Sequence, residues 1–223
     1  MRVVGVDGCP KGWIAIVLED GAFARAIFSR KLVDLVDAEP DAKVMAIDVP
    51  IGSEPDRFRR VDASAWQFVG PRWQNIREVP PLEVMQAPRL EEALAICEAL
   101  TKKSFSNHGY ALRDKVLEVA AIVKPDDHII EAHPEVSFRA LQGSPLLTKK
   151  STWAGHTMRR DLLEGAGIVL PSDLADAGLN AAPSDVLDAA AVAWTANRHA
   201  TGASQRLKPV IRDATGRLVT SWL

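Results

Sequence analysis

The sequence is poor in the features that mark secreted and membrane proteins. It has 223 residues but only two cysteines, Cys9 and Cys97, whose spacing fits neither a disulfide framework nor a metal-binding motif. No apolar run approaches the roughly 18 residues that a membrane span needs. The first residues, MRVVGVDG, are interrupted too early for a signal peptide. We therefore expect a cytoplasmic protein in a reducing compartment, without membrane association.

The chain also lacks a strong excess of either charge. Its net charge is −2 and its sequence pI is about 6.2, so it has no overall positive field of the kind that grips nucleic acid by bulk electrostatics. Local basic surfaces remain open, because cationic residues cluster at Arg57, Arg59 and Arg60 and again at Lys149, Lys150, Arg159 and Arg160. The same clusters are equally compatible with solvated faces.

Apolar residues, by contrast, are plentiful. They make up 47% of the chain, enough to fill the core of a single domain covering residues 1–223. Apolar runs predict five strands, at residues 2–8, 12–19, 22–30, 43–49 and 128–132. Helical patterns follow the third strand and fill residues 184–200, with Ser184 as the N-cap. A proline-containing, helical stretch at about 53–125 interrupts the alternation and reads as an insertion.

This order of elements predicts the fold class. Asp20–Gly21 is a tight hairpin signal, so the first three strands are expected to pair antiparallel. The later strands are joined through helices, which favours parallel pairing and helices on both faces of the sheet. We therefore predict an α/β fold with a mixed five-stranded sheet flanked by helices, in which strands 2–8 and 43–49 are adjacent and parallel.

Acidic residues stand where the apolar elements end. Asp7, Asp48 and Glu131 each come at the end of an apolar strand, whereas Asp185 and Asp188 begin the late helix, three residues apart on one face. Burying several acids at the edge of a core is costly unless positive charge lies among them. Hard oxygen ligands of this kind suit Mg²⁺ or Mn²⁺. The pattern therefore predicts a metal site formed by these five acids.

Each acid also has a simpler structural interpretation. Asp7 precedes Gly8 and could be a turn residue. Asp185 could complement the helix dipole, an explanation that suits Asp188 less well because it lies deeper among apolar residues. Glu135 could cap a short helix, and His133 is interpreted as a hydrogen-bonded structural residue.

Four motifs resemble a known family. GVDGCPKGW at 5–13, AIDVPIG at 46–52, EAHPEVSF at 131–138 and DVLDAAAVAWTA at 185–196 are similar to domain of unknown function 429, a family described as predicted RNase H-like nucleases. The resemblance runs from residue 2 to about residue 213. It implies an RNase H-like fold, in which the first and fourth strands are parallel neighbours and bring Asp7 and Asp48 to one edge.

The resemblance also implies an activity. It points to a hydrolase, a nuclease or related phosphodiesterase, that uses two Mg²⁺ or Mn²⁺ ions and acts on DNA or RNA. The catalytic residues carried over are Asp7, Asp48, Glu131 and Asp188, with Asp185 as a further metal ligand. This chain departs from the family pattern in two places: Lys11 stands where glycine is common, and Ser184 stands where the family often has a second aspartate.

Two other functions are compatible with the same residues. The turn DGCPKG resembles a phosphate-binding loop of the actin and sugar-kinase group, which would make the chain an ATP-binding, phosphotransferase-like protein, although that group needs two such domains. Alternatively, Ser184 in place of an acid indicates a non-catalytic binding protein with a degenerate site. ATP-dependent thermal stabilisation would identify the first, and a lack of affinity for millimolar Mg²⁺ would identify the second.

Overall fold

The fold is built around one mixed sheet. The computed structural model describes residues 1–125 and 128–223. The strands of the sheet are β1 Arg2–Cys9, β2 Gly12–Glu19, β3 Ala22–Ser29, β4 Val44–Ile47 and β5 Ile129–Glu131. Their order is β3-β2-β1-β4-β5, with β1 antiparallel to β2, β2 antiparallel to β3, and β1, β4 and β5 parallel. The predicted α/β class and the pairing of the first and fourth strands are confirmed, and this order is compatible with an RNase H-like fold.

Helices cover both faces of the sheet. The predicted insertion between β4 and β5 is largely helical. In chain order, the helices are α1 Leu32–Ala38, α2 Arg60–Val69, a short 3-10 helix Trp73–Asn75, α3 Leu82–Gln86, α4 Leu90–Thr101, α5 Asn107–Tyr110, α6 Arg113–Ile122, α7 Pro134–Gln142, α8 Trp153–Gly165, α9 Ala175–Asn180 and α10 Pro183–Ala200. A small hairpin of β6 Ile211–Arg212 and β7 Leu218–Val219 follows. In the described part of the chain, no helix is long and apolar enough to cross a membrane.

The start of α10 differs from the prediction. Ala182 is the N-cap, without a side-chain hydrogen bond, and Pro183 occupies the first helical turn. Proline is favoured there because its fixed φ suits a helix start and its missing N–H has no intrahelical partner to lose. Ser184 therefore lies inside the helix, so its prediction as the N-cap is wrong.

Alternation along the strands divides the core into two layers. The layer under α10 contains Val3, Ile14, Ile16, Val44 and Ala46, and the opposite layer, under α1 and α6, contains Val4, Val6, Ala15, Met45 and Ile47. Successive side chains of a strand point to opposite faces, so even one step along the chain changes the layer. The face that each residue occupies therefore decides which of the acids at the strand ends can come close to one another.

Helix α10 lies directly on β1 at Gly5. A Cβ atom added to Gly5 would be 2.1 Å from the backbone nitrogen of Ala193 and 2.2 Å from the carbonyl oxygen of Ala189. The facing side of α10 is formed by small, fully buried alanines. The backbones of helix and strand can therefore approach closely, and Asp188, which precedes Ala189, lies near the end of β1.

Candidate functional site

Asp7 and Asp48 extend the layer of the sheet that faces α10. Asp7 follows Gly5 at the two-residue spacing of one strand face, and Asp48 follows Ala46 in the same way. The N–H of Asp48 donates to the carbonyl of Val6 at 2.8 Å, which continues the parallel ladder beyond β4. Asp7 is only 6% exposed and Asp48 is partly buried. The two carboxyl groups consequently meet at one sheet edge, as predicted.

Burial and mutual repulsion perturb both carboxyl groups. Burial raises the pKa of Asp7 well above its ordinary value, and the charges of Asp48 and then Asp188 raise it further. Burial and Asp188 likewise raise the pKa of Asp48, while Lys150 and a hydrogen bond with Asp7 lower it. A hydrogen bond between two carboxyl groups requires a proton on one of them. The pair therefore keeps a proton at pH values where an isolated aspartate has lost its own.

Asp188 contributes a third acid, which is held by a lysine. It is 1% exposed, and its Oδ2 accepts a short hydrogen bond from Nζ of Lys150. Its Oδ1 is buried and finds no hydrogen-bond partner among the described residues. Burial raises the pKa of Asp188 to about 6, although Lys150 opposes the shift. Burial lowers the pKa of Lys150, but Asp188, then Asp48 and Asp7, raise it above its ordinary value, so the lysine is charged.

Asp7, Asp48 and Lys150 border a cleft of about 300 Å³. Its lining combines acids with cationic and polar groups, among them Asp7, Asp48, Asp185, Asn75, Arg77, Lys115, His133 and Lys150. Asp185 is partly exposed there and accepts a 3.2 Å hydrogen bond from Oγ of Ser184. Nζ of Lys115 donates to the carbonyl of Gly12 at 2.5 Å and lies 4.0 Å from the ring centroid of Trp13. An acidic floor with cations beside it is therefore the main feature of the cleft.

Glu131 is not part of this group. It shares a strand face with Ile129, in the layer under α6, whereas Ile130 and Ala132 face α10. Its Oε2 accepts the N–H of Ile51 at 2.6 Å, and its Oε1 accepts a short hydrogen bond from the buried Arg59. Burial raises its pKa and Arg59 opposes the shift. The structure therefore places Glu131 outside the cleft lining as the partner of an arginine, although its charge still contributes to raising the pKa of Asp48.

A second buried ion pair supports the rim of the cleft. Glu135 accepts two hydrogen bonds from Nη2 of Arg159, at 2.8 and 2.9 Å, and a third from Asn75 at 2.9 Å. His133 accepts the N–H of Glu135 at 3.2 Å through Nδ1, which caps α7. Burial and then Lys150 lower the pKa of His133 to about 3, so its ring is neutral. His133 thus has the contacts of a structural residue.

These contacts change the interpretation of the basic clusters. Arg59 and Arg159 are both fully buried in ion pairs, so their interpretation as surface or solvated cations is wrong. Arg57 and Arg60 are exposed beside Glu54. Lys11 is exposed in the turn between β1 and β2.

The sequence analysis did not identify Asn75, Arg77 and Lys115 as residues of the cleft. It named Lys150 but did not place it there. The first three lie in the helical stretch between β4 and β5, which carried no motif. Lys150 was visible only as a member of a basic run. No spacing rule connects it with Asp188, which is 38 residues further along the chain.

Comparison with known protein families agrees with the motifs. The family model described as Protein of unknown function (DUF429) matches residues 5–211, nearly the whole chain. The chain belongs to this family. The part that matches DUF429 includes Lys150 and all five acids predicted as ligands. The chain shows no significant similarity to a curated protein or to a solved structure.

Proposed function

We propose that this DUF429 protein is a metal-dependent nuclease or related phosphodiesterase that hydrolyses nucleic-acid phosphodiester bonds with Mg²⁺ or Mn²⁺. One observation carries the proposal: Asp7, Asp48 and Asp188 come from three different elements and influence one another's ionisation in a buried place. Bringing like charges together in a core destabilises the fold. A bound ligand that requires these acids therefore explains the cluster better than a contribution to the stability of the fold does.

The acids suit a divalent cation in charge and in donor type. All are hard oxygen donors, and Oδ1 of Asp188 is buried without a protein partner in the described structure. Across residues 1–125 and 128–223, no three His, Cys, Asp or Glu side chains are already arranged as a coordinating group. Positive charge is instead supplied by the ammonium of Lys150 on Asp188, and the raised pKa values of Asp7 and Asp48 favour a proton retained by that pair. Metal binding would therefore compete with both.

The roles of the side chains follow from their places in the cleft. Asp7, Asp48 and Asp188 would hold the metal, and Asp185, at the open side, would assist. The bound metal would supply an activated water and stabilise the leaving oxygen, as in two-metal hydrolysis. Arg77, Lys115 and Lys150 line the same cleft and are suited to bind and orient phosphate oxygens. A DNA or RNA backbone therefore matches the arrangement of cations beside an acidic floor.

A second candidate is a non-catalytic binding protein that keeps the fold. The observation in its favour is the contact between Lys150 and Asp188, which neutralises the deepest acid internally. Titration calorimetry with millimolar Mg²⁺ separates the two, because a permanently neutralised site would bind no metal.

We also propose a cytoplasmic location, which is supported by two cysteines that are both buried and free.

The decisive experiment is Mn²⁺-dependent cleavage of single-stranded, duplex, hybrid and branched nucleic acids. The wild type should cleave at least one of them, and Asp7→Asn should cleave none because it removes a metal-binding charge without changing the shape of the side chain. Asp161→Asn, at an exposed position of α8, is the matched control and should keep full activity. The proposal fails if the wild type leaves every substrate intact, or if Asp7→Asn cleaves as well as the control.

A further inference from the structure

Lys150 approaches the acids from the solvent side. It lies in the segment between α7 and α8, and its side chain is 39% exposed, whereas that of Asp188 is 2% exposed. Asp188 is held in α10, whereas Lys150 is in an irregular segment and keeps part of its side chain in solvent. The charge of Lys150 acts on Asp48 and Asp7 as well. Lys150 thus compensates three acids through one partly exposed ammonium group.

Two of the buried arginines differ from Lys150 in this respect. Arg59 and Arg159 have side chains that are 0% and 1% exposed, and each is enclosed with its glutamate. Arg159 donates from Nη2 to both oxygens of Glu135 and from Nη1 to the carbonyl of Gly155, and these bonds together hold the planar guanidinium in one orientation. A lysine ammonium is a point charge on a flexible stem and is more easily redirected. The contact of Lys150 therefore has the properties of a reversible one.

We propose that Lys150 is a built-in counter-cation: it holds the acid cluster together in the metal-free protein, leaves Asp188 when a divalent ion binds, and then contacts a substrate phosphate. This inference rests on the proposed function. A metal ion on Oδ1 of Asp188 would lie beside the ammonium on Oδ2 of the same carboxylate, and two cations this close repel each other strongly in a buried place. The released ammonium stays in the cleft, because Lys150 already lines it together with Arg77 and Lys115.

Amine footprinting of the unmodified protein tests the release directly. The protein is treated with a limiting amount of an amine-reactive ester, with and without Mg²⁺, and labelling is measured by mass spectrometry. Lys149 is exposed and adjacent, so it serves as an internal control. We expect labelling of Lys150 to rise several-fold with Mg²⁺ while that of Lys149 stays constant. Unchanged or reduced labelling of Lys150, under conditions where calorimetry shows bound Mg²⁺, overturns the inference and leaves the metal site standing.

A pair of variants adds an independent readout. Lys150→Met should bind Mg²⁺ several-fold more tightly than the wild type, because no ion pair has to break, while its KM for an oligonucleotide should rise. Lys149→Met should match the wild type in both measurements. Weaker Mg²⁺ binding by Lys150→Met would overturn the inference by showing that the lysine supports the metal-bound arrangement at Asp188. If neither the wild type nor Lys150→Met binds Mg²⁺, the proposed function itself fails, and the inference fails with it.

Discussion

The contact between α10 and β1 makes a sharp prediction at Gly5. In Gly5→Ala the new methyl group would lie 2.1 and 2.2 Å from backbone atoms of Ala193 and Ala189, whereas real Cβ atoms essentially never come closer than 3.0 Å. Backbone atoms cannot turn aside as a flexible side chain can. Helix α10 would have to move away from the sheet by about 1 Å, against a close-packed core.

The size of the effect follows from the cost of overpacking. Extra methyl groups in a packed core typically cost about 1–3 kcal/mol, and a clash with backbone belongs at the upper end of that range. We therefore expect the free energy of unfolding to fall by about 3 kcal/mol. In a chain of this length, such a loss lowers the Tm by about 6–12 °C. Since Asp188 moves with α10, metal affinity should fall as well.

Gly8→Ala, in the same strand, is the matched control. Its Cβ would meet only the flexible side chain of Lys115, at 3.5 Å, which is an ordinary contact. Urea unfolding and Mn²⁺ titration of both variants measure the difference, and the stability of Gly8→Ala should stay within about 1 kcal/mol of the wild type. If Gly5→Ala proved as stable as Gly8→Ala, α10 would not lie directly on β1, and our placement of Asp188 beside Asp7 would be wrong.

Two further predictions concern the buried charges. Because the pKa of Asp7 is raised, the folded protein holds its proton more tightly than the unfolded chain, and stability is lost as the pH rises through the folded pKa. In the absence of metal, Asp7→Asn should therefore be more stable than the wild type at pH 8 but not at pH 4, as measured by urea unfolding. If Asp7→Asn were less stable than the wild type at pH 8, Asp7 would be a structural hydrogen-bond acceptor. Arg59→Met should destabilise the protein by about 3–5 kcal/mol, because Glu131 and Asp62 lose the cation between them. Arg89→Met, at an exposed pair with Glu92, should cost less than about 1 kcal/mol. Equal losses in thermal or urea unfolding would contradict this.

The sheet and its acidic edge were predictable because they rest on local rules. Apolar runs of strand length, a tight turn at Asp20–Gly21 and helical connections are enough to order β1 to β5. Asp7 and Asp48 follow from the same rules, since parallel neighbours end at one edge. The bounds of the late helix were nearly right, and its N-cap was missed because Ser184 is a better cap by residue type than the Ala182 that the chain uses.

The position of Glu131 was not predictable, because β5 is apolar on both faces. Ile129 and Ile130 are equally suited to either layer of the core, so the sequence does not show which face of the sheet Glu131 occupies. In β1, the small Gly5 between the larger Val4 and Val6 distinguishes the two faces of the strand. Asp7 lies on the same face as Gly5. A strand buried on both faces loses the alternation that would have separated Glu131 from the other acids.

Lys150 illustrates a different limit, which is set by tertiary structure. A pair of lysines in a polar segment has the pattern of a solvated surface, and Lys149 is indeed exposed. Whether a lysine meets a carboxylate depends on how α7 and α8 place the segment against α10, and that packing joins residues far apart in the chain. Positive charge does lie among the acids, as Lys150, whereas the divalent cation that the sequence predicts stays a prediction.

The buried acids around the cleft are compensated in two ways, and the difference supports the proposed location of the metal. Glu131 and Glu135 are matched with enclosed arginines whose removal would leave uncompensated buried charges. Asp7, Asp48 and Asp188 are matched with a retained proton and a partly exposed lysine. A cation that enters from solvent can compete with partners of this kind more easily than with an enclosed arginine. We therefore propose the acid cluster under α10, and not Glu131, as the place where a divalent ion binds.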